Sequence, residues 1–409
     1  MDQHFYALLA VNAILFVVEV LVSTKLSYSK SQDMFLHKLL LQDFRLFSQQ
    51  ILEFQDQTSL IIAPNAGGKS SILEAIYLLA SGQSFRADKV EEMISFQADV
   101  AQVKAKIYSQ QPKNTAENDL LSGLDELQLA VLLTRGQVNG KRTKKQHYSV
   151  NDNKRLKKDF VGNLLAVVFR PEDMRLIEGS PSRRRDYLNS SLLLVDREYQ
   201  SALRQYEQIL RRRNKILSSI QEGTQSPQAL TYWDMGLIKH GEKLQEKRRE
   251  LSEFINSIVE APLKFRFEYQ PSTITRDKLE ARRRSEIGAG FTLIGPHKDD
   301  FEVQIKLGAR GTGKNFVSLD AYGSRGQKRM GVLWLKKAEL AFLKHKTNKS
   351  PLLLLDDILS ELDDENRLRV LQLVDGEQTI ITTADEDLVQ EIQDQFSSLQ
   401  IIKLKSASD

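Results

Sequence analysis

An α/β fold of two lobes with a short helical arm inserted between them is predicted by three features of this sequence. The apolar run Ser59-Leu60-Ile61-Ile62-Ala63 leads through a glycine-containing loop into a segment of helical periodicity. A second apolar run, Pro351-Leu352-Leu353-Leu354-Leu355, ends in the paired carboxylates Asp356 and Asp357. Between them lie two long amphipathic stretches, 183–221 and 228–261, separated by Glu222-Gly223-Thr224-Gln225-Ser226-Pro227, which suits the turn of a helical hairpin. At 409 residues the chain exceeds the size at which a single core stops growing, so two or more lobes are expected.

The elements follow in order. From Met34, residues 35–41, 52–54 and 59–63 read as strands with short polar connections. Residues 70–80 have helical spacing, with Ile72, Ala75, Ile76 and Leu79 on one face. Residues 110–125 are polar and aperiodic, a loop of a β-rich lobe. After the arm come a β-like stretch at 265–274, then apolar strands alternating with helices to Leu404. The boundaries expected are a first lobe over 34–182, an arm over 183–262 and the second half of the head over 263–409.

Residues 1–33 form a separate extension. Its run 5–22 is apolar except for Asn12 and Glu19 and is about long enough to cross a bilayer. Asp2 and His4 give it no positive leader, whereas Lys25, Lys30 and Lys38 follow it, so an anchor would leave the remainder in the cytoplasm. The preferred reading is that translation starts at Met34 and that the extension is upstream read-through. A cytoplasmic protein without membrane partners is expected.

Composition is that of a soluble globular chain, 41% apolar and 27% charged. The absence of cysteine excludes a disulfide framework, a thiolate metal site and a cysteine nucleophile. Lysine and arginine (58) exceed aspartate and glutamate (54) by only four, but their distribution is uneven. Basic clusters at 141–145, 154–158, 183–185, 211–213, 243–249 and 282–284 make the middle of the chain the candidate polyanion face, while acids gather at 356–365 and 385–391.

Ala63-Pro64-Asn65-Ala66-Gly67-Gly68-Lys69-Ser70 fits the phosphate-loop pattern, with alanine in the first glycine position. Its backbone N–H groups and the following helix N-terminus, including Ser71, would cradle phosphates. Lys69 would reach the β/γ oxygens of ATP, and the Ser70 hydroxyl would ligate Mg²⁺. Ala66 stands where a positive φ or close phosphate approach is wanted, at a cost of about 1 kcal/mol, and Gly67 is expected to absorb part of the turn. Asp356, at the carboxyl edge of its strand, would hold Mg²⁺ through water or Ser70, and Asp357 would orient the attacking water in place of a glutamate.

Gly323-Ser324-Arg325-Gly326-Gln327 opens a helix over 328–343 and precedes the Asp356 strand as the signature of ABC ATPases does. Ser324, Gly326 and Gln327 would then complete the nucleotide site of an opposite subunit. Ser360-Glu361-Leu362-Asp363 matches the loop that crosses a head dimer, which brings Asp363 to the same site. Thr379-Ile380-Ile381-Thr382-Thr383-Ala384 is the next strand, with threonine where many such ATPases carry histidine. These features together specify an ABC/SMC-type ATPase head.

Residues 34–404 further resemble the RecF family of bacterial recombination mediators. The resemblance rests on Leu73-Glu74-Ala75-Ile76-Tyr77, Phe169-Arg170-Pro171-Glu172-Asp173, Gly179-Ser180-Pro181-Ser182-Arg183-Arg184 and Gly295-Pro296-His297-Lys298-Asp299-Asp300. It implies ATP-dependent homodimerisation, gapped, duplex or single-stranded DNA held across the dimer, and work with RecO and RecR in loading RecA. Arg183, Arg184 and Arg185, with the arm helices, are the candidate DNA contacts. One histidine beside Asp299 and Asp300 is a poor metal set, so 295–300 is expected to serve structure or DNA contact. Two other readings remain. A transporter ATPase subunit is disfavoured by Asp357 and Thr382-Thr383. A DNA scaffold that binds ATP without hydrolysing it differs from a slow DNA-stimulated ATPase only in phosphate release.

Overall fold

The computed structural model describes residues 34–109, 125–258, 263–306, 316–371, 376–396 and 398–404. The 5–22 run and all but Asp125 of the 110–125 loop lie outside them. In chain order come β1 (Phe35–Phe44), β2 (Phe47–Glu53), β3 (Thr58–Ile62), α1 (Lys69–Ser81), β4 (Val100–Tyr108), β5 (Glu126–Thr134), β6 (Gln137–Val138), β7 (Lys141–Arg142), β8 (Gln146–Val150), β9 (Asn153–Arg155) and β10 (Ala166–Phe169). The helical region holds α2 (Pro181–Val195), α3 (Arg197–Gln221) and α4 (Thr231–Ser257). Then follow β11 (Phe265–Gln270), α5 (Arg276–Ala289), β12 (Asp300–Ile305), β13 (Val317–Ser318), α6 (Arg325–Thr347), β14 (Leu352–Asp356), α7 (Asp364–Leu371), β15 (Thr379–Thr383), α8 (Asp387–Gln395) and β16 (Gln400–Lys403).

Two sheets enclose α1. The antiparallel one runs β2-β1-β4-β5-β8-β9 and the parallel one β10-β14-β15-β3-β16. In β4, Ala101, Val103, Ala105 and Ile107 are buried and alternate with Gln102, Lys104 and Lys106, the pattern of a sheet covered on one face. In β3, β14 and β15 all five residues are buried, as parallel strands covered on both faces require. The single apolar face expected for α1 is too narrow. Leu73, Leu78 and Ala80 are buried too, because the helix packs against both sheets at once. Glu74 on this helix is fully buried, and its carboxylate receives a two-point bond from Arg45 at 2.8 and 2.7 Å.

The first amphipathic stretch is two helices, not one. Asp196 leaves α2 in an extended conformation (φ −117°) and its side chain accepts a 2.8 Å bond from Tyr199 N, capping α3. Helix α3 then pairs with α4 as the hairpin predicted from 222–227.

The turn before β12 ties these helices to the head. Asp299, with no exposed surface, accepts from Arg248 Nη1 (2.7 Å), Gln245 Nε2 (2.8 Å), Ser272 N (2.8 Å) and the Tyr269 hydroxyl. Arg248, 2% exposed, also donates to the Pro296 carbonyl (2.8 Å), Tyr199 Oη (3.0 Å) and Asn189 Oδ1 (2.9 Å). One guanidinium thus joins α2, α3, α4 and the 295–300 turn. His297 bonds the Tyr206 hydroxyl and the Thr292 carbonyl, and burial pushes its imidazole down to about 4. Of the two roles expected for 295–300, structure or DNA contact, this bonding fits the structural one, and among the described residues no group of three or more His, Cys, Asp or Glu could hold a metal.

Candidate nucleotide-binding site

The loop 63–70 leaves the carboxyl end of β3, and Asp356 ends β14, with β15 lying between the two strands. Because β14, β15 and β3 run parallel, both carboxyl ends lie at one edge of the sheet. There Ser70 Oγ donates to Asp356 Oδ1 at 2.8 Å. Thr382 Oγ1, from β15, donates to the same oxygen at 3.2 Å.

The loop is shaped for a group larger than a side chain. A Cβ on Gly67 would lie 2.9 Å from Ala63 Cβ and from the Pro64 carbonyl. Gly68 has φ +91° and is the N-cap of α1 with no side-chain cap, so no side chain satisfies the first N–H groups of the helix. Pro64, Asn65 and Ala66 are exposed, whereas Lys69 and Ser71 are buried. The Lys69 ammonium donates to the carbonyls of Ala63 (2.7 Å) and Pro64 (3.1 Å). Burial holds it below the usual lysine range against the nearby Asp357 and Asp356. Burial likewise pushes the Asp356 carboxyl above its usual range, opposed by bonds from Ser70 and Thr382 and by Arg86 and Arg170. A buried carboxylate held above its usual range is favoured by a further positive charge beside it, the charge that a Mg²⁺ ion held by Ser70 and Asp356 would supply.

Ala66 does sit at positive φ (64°), as its position suggested. Gly67 closes the turn through its N–H, which donates to the Pro64 carbonyl (3.0 Å), but not by a positive φ. Gly68 takes the left-handed conformation, and Gly67 is needed for close approach. The strain is already present in the loop without ATP, so Ala66→Gly is expected to raise the unfolding free energy by about 1 kcal/mol and to change ATP affinity little. Urea unfolding and nucleotide titration of the two proteins check this, and a loop no more stable with glycine contradicts it.

Asp357 is also left-handed (φ 51°), which turns its side chain off the strand line. Its N–H bonds the Thr382 carbonyl at 3.1 Å. Ser324 is the N-cap of α6 in a reciprocal box: its hydroxyl accepts from Gln327 N (3.3 Å), and Gln327 Oε1 accepts from Ser324 N (2.9 Å). The helix begins three residues earlier than the sequence spacing predicts because this box recruits 325–327. Ser324, Arg325 and Gly326 are exposed, and Arg329 one turn on pairs with Asp363 at 3.1 Å, linking the signature helix to the loop after β14.

The basic triplet divides. Arg184 makes a two-point bond to Asp300 (2.5 and 2.8 Å) and Arg185 donates to the Asp299 carbonyl (3.2 Å), so both brace the 295–300 turn. Arg86 and Arg170, which act on Asp356, were missed as site residues. Phe169-Arg170-Pro171-Glu172-Asp173 was legible as a motif, but nothing in it showed that Arg170 would bond the Phe85 carbonyl (3.0 Å) beside α1.

The family model described as RecF/RecN/SMC N terminal domain matches residues 35–405. The chain is 32% identical over 370 residues to the DNA replication and repair protein RecF of Caldanaerobacter subterraneus subsp. tengcongensis, covering 85% of this chain and 94% of that protein. It is 33% identical over 381 residues to RecF of Herpetosiphon aurantiacus, covering 87% and 94%. The chain belongs to the RecF family. A solved structure of the recombination mediator protein RecF-ATPrS in the RecFOR pathway aligns with a TM-score of 0.74 at 30% identity, over 87% of this chain and 95% of that one. A RecF-ATP structure aligns at 0.73 and 29%. The α/β ATPase-head fold expected from the sequence is therefore the RecF-family fold, and no helix among the described residues is long and apolar enough to cross a membrane.

Proposed function

We propose that this RecF-family chain is an ATP-gated DNA clamp acting in DNA replication and repair. The observation that carries the reading is the 2.8 Å contact between Ser70 and Asp356, which joins phosphate loop and acidic strand end into one site. The solved relatives named RecF-ATP and RecF-ATPrS support ATP as the occupant.

In this reading the N–H groups of Ala66, Gly68, Lys69 and Ser70 and the Lys69 ammonium receive the phosphates, the ammonium exchanging the Ala63 and Pro64 carbonyls for phosphate oxygens. Ser70 and Asp356 would hold Mg²⁺, which would supply positive charge beside the phosphates, and Asp357 would orient a water. Bound ATP supplies the negative charge that draws in a second head. The exposed N-terminus of α6, with Ser324, Gly326 and Gln327, faces that charge from the opposite subunit, and Asp363 crosses beside it. Closure sets the two arms around DNA. Arg183 serves there with Arg204, Arg211, Arg212 and Lys215 on α3, which are exposed and form no ion pair among the described residues. Arg184 and Arg185 act chiefly by holding the 295–300 turn. Work with RecO and RecR in loading RecA is proposed from the solved relatives, recombination mediators of the RecFOR pathway.

Phosphate contacts dominate such a grip, so duplex binding is expected to need ATP, to show little sequence preference and to weaken steeply with salt. Titration of a chain beginning at Met34 onto duplex and gapped DNA, with and without ATP at two salt concentrations, checks this. Salt-insensitive or ATP-independent binding contradicts it.

A further inference from the structure

We propose that Phe96 is a base-stacking platform for single-stranded nucleic acid, flanked by the cationic β6–β7 ribbon. This deepens the clamp reading, on which it rests for the polyanion. Phe96 is 102% exposed, the most exposed of the large apolar side chains among the described residues. Full exposure of a phenylalanine forgoes about 2 kcal/mol of burial, and here the exposed ring stands on a segment held by hydrogen bonds beside a row of cations.

The segment is rigid. Ala98 N donates to the Ser95 carbonyl (3.1 Å), closing a turn with Phe96 near its apex, and Ser95 N donates to the Asp43 carbonyl (2.8 Å). Arg135 reaches across from the end of β5 and clamps both ends of the turn, Nη2 to the Ser95 carbonyl and Nε to the Ala98 carbonyl, each at 3.0 Å.

Arg135 also begins the ribbon. Thr143 N bonds the Gly136 carbonyl (3.0 Å) and Thr134 N the Lys145 carbonyl (2.9 Å), and Asn139 and Gly140, both at positive φ, turn the tip. Residues 135–145 hold five cations and no carboxylate. Lys145 is paired with Glu91, but Lys141, Arg142 and Lys144 are exposed without an ion pair among the described residues. Asp99 is the carboxylate on the turn's own segment, outweighed by these three.

The surroundings favour a nucleic acid over a protein. An aromatic anchor for a protein partner sits among apolar neighbours that exclude water, and here Gln97 and the ribbon cations take their place. An exposed π-face on a turn joined through Arg135 to a cationic ribbon is the composition of a single-strand site, where each base offers a face and the backbone offers charge. In a duplex the base faces are already stacked on one another, so such a ring serves unpaired bases.

The test uses the full chain with ATP, labelled oligothymidylate and a duplex of equal length. Phe96→Ala is expected to weaken oligothymidylate binding about tenfold, with duplex and ATP binding unchanged. Phe96→Trp is expected to keep the affinity, with its added emission quenched on binding. Lys141→Ala together with Lys144→Ala should reduce the salt slope of single-strand binding by roughly 1.4. Equal oligothymidylate affinity for wild type and Phe96→Ala overturns the proposal and leaves Phe96 as an anchor for a protein partner. A parallel loss of duplex affinity overturns it as well. The two readings fail separately, because ATP-independent duplex binding by wild type contradicts the clamp while a Phe96-dependent grip on oligothymidylate survives it.

Discussion

Lys69→Met is expected to weaken ATP binding by at least about a hundredfold, since charge-assisted bonds to the phosphates contribute roughly 1.5–3 kcal/mol each and more than one is lost. The ammonium is already desolvated, folded against the Ala63 and Pro64 carbonyls, so ATP binding bears little further cost of removing it from water. Methionine keeps the stem and removes only the charge and its donors. Two carbonyls would be left without that partner, and the nearby Asp357 and Asp356 would lose their counter-charge. Equilibrium titration with a fluorescent ATP analogue measures the change, and an affinity within tenfold of wild type contradicts the assignment.

Arg248→Ala should destabilise the chain by about 3–5 kcal/mol, because it leaves the fully buried Asp299 without its charge partner. Four bonds to the Pro296 carbonyl, Asp299, Tyr199 and Asn189 go at once. Arg248→Met in combination with Asp299→Asn should recover much of the loss, since the buried charge is then gone with its partner. Urea unfolding followed by far-ultraviolet dichroism checks both, and a loss under about 1 kcal/mol for Arg248→Ala contradicts the account.

The sequence made the head legible where local chemistry is strict. Only glycine fits at 67, only a short apolar strand fits between 352 and 355, and a serine and an acid must meet across the sheet edge. Positions decided by tertiary packing were not legible. The buried second face of α1 follows from a sheet on each side, which no helical periodicity reports. The break at Asp196 was marked by a capping aspartate followed by Glu198 in the first turn, but flanking helical spacing masked it. The triplet Arg183, Arg184 and Arg185 reads as one basic patch, yet Asp300, far along the chain, claims the middle member. Arg170 and Arg86 reach Asp356 only once β10 and the end of α1 are placed.

The central claim is that the N-terminus of α6 completes the nucleotide site of a second subunit. Sedimentation of Ser324→Arg with ATP tests it most directly. Ser324 is exposed and its cap is one reciprocal pair of bonds with Gln327, so the substitution should leave the fold and ATP binding intact. Wild type should sediment as a dimer with ATP and as a monomer without it, and Ser324→Arg as a monomer in both. ATP-dependent dimers of Ser324→Arg would contradict the account.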